Sequence, residues 1–172
     1  MQNTHNAEER SKALQKITYG FHVLTSRKSA AELSTRTEDW LAAGTVSWVT
    51  QVSFEPQLVA VAVQKSADLN ETIQKSQHFA VNVLGKDNRA MVEQFAGKTE
   101  VGDHTLDGHA FEDGLTTCPL LKEALAYIEC ELDEAVTLNG DHMLFIGRVV
   151  NAGVRQDAEP LVEWETEHHY GG

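Results

Sequence analysis

Apolar and polar side chains alternate at period two through much of this chain, and three short stretches switch to helical spacing. From Gly20 to Ser26 the apolar set Phe21 and Val23, extended by Thr25, falls on one face of a predicted strand. A second strand is expected from Trp40 to Ser53, with a bend at Gly44. Gln57 to Gln64 is apolar on both faces, the pattern of a strand covered on each side. Phe79 to Leu84 forms another, and Ala124 to Leu132 alternates as a half-exposed strand. Asn139-Gly140 is a strong hairpin signal, so His142 to Val150 should return as its partner. Leu161 to Trp164 reads as a last strand, while Lys28 to Asp39 reads as a loop and Lys98 to Gly114 as a polar, glycine-rich excursion.

Helices fit between these strands. Asn6 with Glu9 makes a capping box ahead of the stripe Ala13, Leu14 and Ile17. Asp68 followed by Glu71 opens a helix whose Leu69 and Ile73 point inward. Asp87 caps a third that carries Met91, Val92 and Phe95 and stops at Gly97. The expected architecture is mainly β: one domain over residues 1–172, an antiparallel sheet that closes into a barrel, and peripheral helices.

Two places break the alternation. Ser47, Thr50, Gln51 and Ser53 crowd polar groups onto both faces of the second strand as it approaches Glu55-Pro56. Asn82 sits alone inside the apolar run Phe79 to Leu84. Buried polar groups need partners. Either neighbouring strands supply them or a polar, flat ligand does, and two such exceptions favour a ligand site. Lys65-Ser66, ahead of the Asp68 helix, offers a cation, a hydroxyl and helix-terminal amides for a phosphate; an ordinary cap beside a surface lysine is the plainer reading.

Charge narrows the partners. With 14 basic and 26 acidic residues the net charge is −12, which repels phosphate backbones and anionic membranes. The polar start Met1 to Arg10 lacks a signal-peptide core, and no stretch reaches membrane-spanning length, so a cytoplasmic protein is expected. Cys118, ahead of Pro119 in a turn, and Cys130, on a strand, are expected to be reduced and buried. Neither has the basic neighbour of a nucleophile. Gly-Asp-His occurs twice, at Gly102 to His104 and at Gly140 to His142. The first copy, near Asp107 and His109, has no helical spacing to order metal ligands, so no metal is expected. Glycine-rich nucleotide loops, paired carboxylates and a Ser-His-Asp set are all missing.

Three segments carry a resemblance. Thr45-Val-Ser-Trp-Val-Thr-Gln-Val-Ser-Phe-Glu-Pro56, Phe79-Ala-Val-Asn-Val-Leu84 and Gly140-Asp-His-Met-Leu-Phe-Ile-Gly147, in order, resemble the flavin reductase-like family, and the likeness runs from about Ile17 to Tyr170. The resemblance implies an FMN-binding split barrel, a homodimer, and NADH or NADPH as co-substrate. It also implies that Thr45, Val46, Ser47, Trp48, Gln51, Val52, Lys65, Ser66 and Asn82 contact the cofactor. His142 would lie beside the nicotinamide with Asp141 fixing its turn, and the C-terminal His169 and Tyr170 would fold back toward the flavin. FMN is preferred to FAD because no adenine-binding motif is evident. No catalytic residue is needed beyond the flavin, which accepts hydride at N5. Reduced flavin would then pass to a monooxygenase or a redox protein. An FMN-holding electron-transfer protein without direct NAD(P)H activity is the alternative, and a barrel for another planar ligand a third. The chain departs from the family's pattern at Pro56-Gln57, where many members have Pro-Pro, and at Trp48, where a small residue is more usual.

Overall fold

The computed structural model describes residues 2–28 and 40–168. His169, Tyr170 and the expected loop beyond Lys28 lie outside them. Helix α1 (Gln2–Leu14) begins ahead of the Asn6 cap read from the sequence. Its stripe does not bury: Leu14 and Ile17 are each 50% exposed.

The main sheet has seven strands: β1 (His22–Arg27), β2 (Leu41–Val46), β3 (Val49–Phe54), β4 (Gln57–Gln64), β5 (His78–Val83), β10 (Ala126–Thr137) and β11 (His142–Val154). Their order is β2-β1-β5-β10-β11-β4-β3, with every neighbouring pair antiparallel. All seven strands place side chains in or against one shared core that includes Leu24, Val46, Val61, Phe79, Cys130 and Phe145, β3 only through the half-buried Val49. The sheet therefore wraps around that core. Helix α2 (Asp68–Ser76) packs on β1, β2, β4 and β5 and inserts Leu69 and Ile73, as their spacing predicts. Val59, Val61 and Val63 of β4 are buried on one face and Ala60 on the other, while Leu58 and Ala62 are half-buried, so the cover expected on both sides is complete on one side only.

Closure of the sheet is the first correction. β2 and β3 are its two edges and make no ladder with each other. The single strand expected from Trp40 to Ser53 is interrupted at Ser47 and Trp48, which carry the chain from one edge to the other. The break is local: Val49 N–H turns back onto the Ser47 carbonyl at 3.0 Å, and the Trp48 carbonyl accepts Ala62 N–H of β4 at 3.1 Å. Gly44 does not bend its strand. It pairs with Leu24, and a Cβ there would stand 3.0 Å from Leu69 Cδ1.

A second, outer core lies on the other face of β1 and β5. It joins Phe21, Val23 and Leu84 to Met91, Val92 and Phe95 and to the excursion's Leu106, Phe111 and Leu121. Met91 and Val92 belong to α3 (Arg89–Gln94), which follows a 3-10 turn at Lys86–Asn88. The excursion folds into short strands, β6 (Val101–Gly102), β7 (Thr105–Leu106) and β8 (His109–Asp113), and continues past Gly114 to a fourth, β9 (Pro119–Leu121). Strands this short leave no readable period. The expected last strand is instead a pair of isolated bridges, Gly20 to Val162 and Gly85 to Pro160, followed by a 3-10 turn at Glu163–Glu165.

Buried polar groups fasten the excursion to the barrel. Asn82 Nδ2 donates to the Val23 carbonyl at 3.1 Å and to Thr25 Oγ1 at 3.3 Å, and its Oδ1 accepts Leu121 N–H at 2.8 Å. Thr25 donates to the Pro119 carbonyl at 2.7 Å. Alternation puts Glu129 toward solvent, yet it is fully buried beneath the turn at residues 114–117. Cys118 and Cys130 are free and buried. Cys130 lies in the inner core and Cys118 outside the sheet with Ala80 and Leu120. Burial pushes their thiols up to about 11 and about 12, which makes them inert at neutral pH. Among the described residues no helix is long and apolar enough to cross a membrane.

Candidate functional site

Where the sheet fails to pair, the gap between β2 and β4 opens outward into a cleft of about 820 Å³. Edge strand β2 forms one wall, including Thr45 and Val46. The end of β4 and the start of α2 form another, through Ala62, Gln64 and Ser66. Residues 95–99 after α3 form the third. A sheet edge suits this place, because its backbone groups are not consumed by a neighbouring strand. The α3 wall is tied on by Thr45, whose N–H donates to the Phe95 carbonyl at 2.9 Å and whose hydroxyl donates to the Val92 carbonyl at 2.8 Å.

The cleft mixes charges. Lys28, Lys75 and Lys98 line it together with Asp68, Glu71 and Glu93. A hydrogen bond from Lys75 and the charge of Lys28 hold the Glu71 carboxyl below the usual range. Glu93 meets His168 at 3.2 Å. Ser66 and the first amides of α2 make an anion-facing corner, although Asp68 and Glu71 in the same turn oppose an anion there.

A flat polar ligand with a phosphate fits these residues on one further observation. Ser47, only 2% exposed, directly follows the β2 wall, and its hydroxyl has no hydrogen-bond partner among the described residues. A buried hydroxyl without a partner is uncommon and marks a place for a ligand group or water.

Of the residues singled out in the sequence, Thr45, Val46 and Ser66 line the cleft and Ser47 adjoins it. Gln51 does not: it is exposed on β3 and bonds its own strand at the Ser53 carbonyl, 3.0 Å away. Val52 is 50% exposed on the same edge strand. The polar crowding around Thr50 to Ser53 is thus a solvated edge. Asn82 lies outside the cleft, with its amide engaged between β1 and the excursion. Lys65 also turns away: its ammonium binds the Leu138 and Gly140 carbonyls at 2.6 and 2.7 Å, and its N–H binds the Asp141 carbonyl at 2.9 Å. That lysine fixes the β10–β11 turn to the end of β4.

A second feature stands at the Ser47–Trp48 crossing. The Trp48 ring lies 4.7 Å from that of His142, inclined at 45°, and 6.3 Å from Tyr19. His142 Nδ1 is 2.7 Å from Asp141 Oδ1, and this bond holds the Asp141 carboxyl below its usual value. Spacing alone brings neither Trp48 to His142 nor the α3 end to Thr45; both contacts follow from the curl of the sheet. The His104, Asp107 and His109 group is dispersed. His109 bonds Glu123 and Gln94 at 3.0 and 2.9 Å, while Asp107 accepts Glu100 N–H at 2.8 Å. Among the described residues no cluster of three or more metal-binding side chains forms.

A family model described as the flavin reductase like domain matches residues 14–172. A putative diflavin flavoprotein A 1 of Nostoc sp. (strain PCC 7120) is 32% identical over 146 residues, covering 81% of this chain and 24% of that protein. The chain therefore spans about a quarter of that relative's length. Among solved structures, the flavin reductase PheA2 in its native state is 32% identical with a TM-score of 0.71, over 91% of this chain and 92% of that one. The NADH:FAD oxidoreductase SgcE6 of Streptomyces globisporus C-1027 is 25% identical with a TM-score of 0.74, over 91% of this chain and 87% of that one.

Proposed function

The chain belongs to the flavin reductase-like family, and on that premise we propose that it binds FMN in the cleft and reduces it with NADH or NADPH. The observation that carries this reading is the convergence of Thr45, Val46 and Ser66 on one cleft, with the partnerless hydroxyl of Ser47 beside it. A bound flavin would supply the redox chemistry, as the acceptor of a hydride from the nicotinamide. The protein's part is to bind, orient and exclude water. Ser66 and the α2 amides would hold the phosphate, the β2 edge would present backbone groups to the ring, and Phe95 would close the apolar side. Ser47 would donate to or accept from a ring heteroatom. His142, packed against Trp48, would border the nicotinamide, with Asp141 on its Nδ1. The acceptor would be a monooxygenase or a redox protein, and the working form a homodimer.

The relative of which this chain spans a quarter supports a second reading, an FMN-holding electron carrier within a larger redox system. One experiment separates the two. FMN and FAD are titrated into the purified protein, and the bound flavin's absorbance is followed on anaerobic addition of NADH and of NADPH. Bleaching within seconds supports the reductase. Stable yellow protein that bleaches only with dithionite supports the carrier, and a preparation that takes up neither flavin defeats both.

A further inference from the structure

The cleft is a trough along edge strand β2, and its two ends differ in charge. Lys28 N–H donates to the Trp40 carbonyl at 2.8 Å, which sets Lys28 beside the start of β2. The hydroxyls of Ser26 and Ser76 meet at 2.8 Å, so α2 ends on the Lys28 side and begins on the Ser66 side. Nine helical residues hold these two ends about 13 Å apart. On the facing bank the Phe95 carbonyl accepts Thr45 N–H, and Thr99 donates to the Ala43 carbonyl at 3.1 Å. Residues 95–99 therefore run toward the Lys28 end and carry Lys98 that way.

Lys75, at the same end, is committed to Glu71. Lys28 lowers the Glu71 carboxyl by its charge without an ion pair. Among the described residues neither Lys28 nor Lys98 makes an ion pair, and both line the cleft. Lys28 is half-buried there, so water screens its charge less than that of an open surface lysine. Glu93, on the bank of Lys98, is engaged by His168. A chain of net charge −12 repels a polyanionic dinucleotide, so a cleft that admits one must offer cations locally. We infer that Lys28 and Lys98 form a second anion subsite, which holds the phosphates of the adenylate half of the nicotinamide dinucleotide. The separation of the ends makes the assignment. FMN has one phosphate and the two of FAD are neighbours, so a flavin anchored at Ser66 leaves the far end to another molecule. The coenzyme half of this inference rests on the reductase reading, whereas the phosphate-binding half does not.

The test compares the full-length parent with the double variant Lys28→Gln, Lys98→Gln and with Lys28→Arg, Lys98→Arg, which restores both charges. ADP is titrated calorimetrically into flavin-free protein, and FMN affinity and the kinetics with NADH and NADPH are measured in parallel. ADP should bind the parent and the arginine variant alike, and the glutamine variant at least about tenfold more weakly. The coenzyme KM should rise about tenfold in the glutamine variant, with kcat and FMN affinity changed less than about twofold. An equal rise for NADH and NADPH assigns the subsite to the diphosphate, and a rise confined to NADPH assigns it to the 2′-phosphate. ADP that binds the parent no more tightly than the glutamine variant overturns the inference. Loss of FMN affinity by the same factor as KM also overturns it, because the lysines would then hold the flavin phosphate. If the flavin-loaded protein oxidises neither coenzyme, the reductase reading fails, and the ADP titration still decides whether the two lysines bind phosphate.

Discussion

Glu129 and Thr116 meet twice: the N–H and the hydroxyl of Thr116 both donate to Glu129 Oε1, at 2.8 and 2.7 Å. Leu115 N–H and Asn151 Nδ2 donate to Oε2 at 3.1 and 2.6 Å. Burial pushes this carboxyl up, but the four donors together outweigh it and hold it below the ordinary glutamate value. A carboxyl depressed in the folded state stabilises the protein above the unfolded pKa and ceases to do so as pH falls through the folded one. Glu129→Gln should therefore cost about 2–4 kcal/mol at pH 7, since hydrogen bonds to a charge are lost and an amide N–H₂ is turned toward donors. In denaturant titrations the gap to the parent should narrow below about pH 4.3. A gap that does not change with pH would show that the charge contributes nothing.

His22 moves the other way. Burial lowers its imidazole from 6.5 to about 4, and Nδ1 has no hydrogen-bond partner among the described residues. The unfolded chain takes up a proton near 6.5 and the folded chain only near 4. Stability should be full above that window and fall as pH drops through it, by up to about 3 kcal/mol. His22→Gln should flatten the slope of unfolding free energy between pH 7 and pH 4. A slope equal to the parent's would assign it to other groups.

Gly147 stands in a place where no side chain fits. A Cβ there would be 2.5 Å from the Phe79 ring and 2.6 Å from Cys130 Cβ, both in the inner core. Gly147→Ala should destabilise the fold by about 3 kcal/mol or more, through overpacking against a rigid ring. Gly97→Ala, with nothing within 4 Å of its Cβ, is the control and should change stability by less than about 1 kcal/mol. Similar melting temperatures for the two would contradict the packing described.

Asn82 and Ser66 should separate stability from binding. Asn82→Ala leaves Leu121 N–H without its acceptor and should cost about 2–3 kcal/mol of stability with flavin affinity unchanged in the folded fraction. Ser66→Ala should leave stability within about 0.5 kcal/mol and weaken FMN roughly tenfold. Calorimetric titration and thermal melts on both variants check the contrast. The reverse pattern would return Asn82 to the ligand site.

How far the sequence could be read follows from the range of each interaction. β4 was readable because the run between Gln57 and Gln64 is apolar, although that run overstated the cover on the strand's second face. α2 was readable because Leu69 and Ile73 are four apart, on one helical face. Seven strands wrapping one core leave a period-two trace, and that trace carried the mainly β class. The break at Ser47–Trp48 left none, because a strand that crosses between sheet edges keeps its composition while changing partners. For the same reason Thr50 to Ser53 looked like a buried polar end when it is a wet edge. Asn82 announced itself only as a polar residue in apolar company, and Glu129 not at all, since alternation put it on the solvent side of its strand. Whether such a residue holds a ligand or a distant loop depends on partners 37 and 39 positions away for Asn82, which no local pattern encodes.

Within a ladder a slip of one residue turns the side chains that follow to the wrong face unless a bulge absorbs it, as the shifts between Glu129 and Cys130 and between Gln51 and Ser53 do here. The two-residue span at Ser47–Trp48 has no such constraint. It works as an adjustable clasp on a band of fixed length, where a residue gained or lost resets the girth of the opening and leaves each ladder as it was. Variation in the size of molecule admitted by folds of this design is thus expected to concentrate at the clasp, far from the residues that decide whether the chain folds.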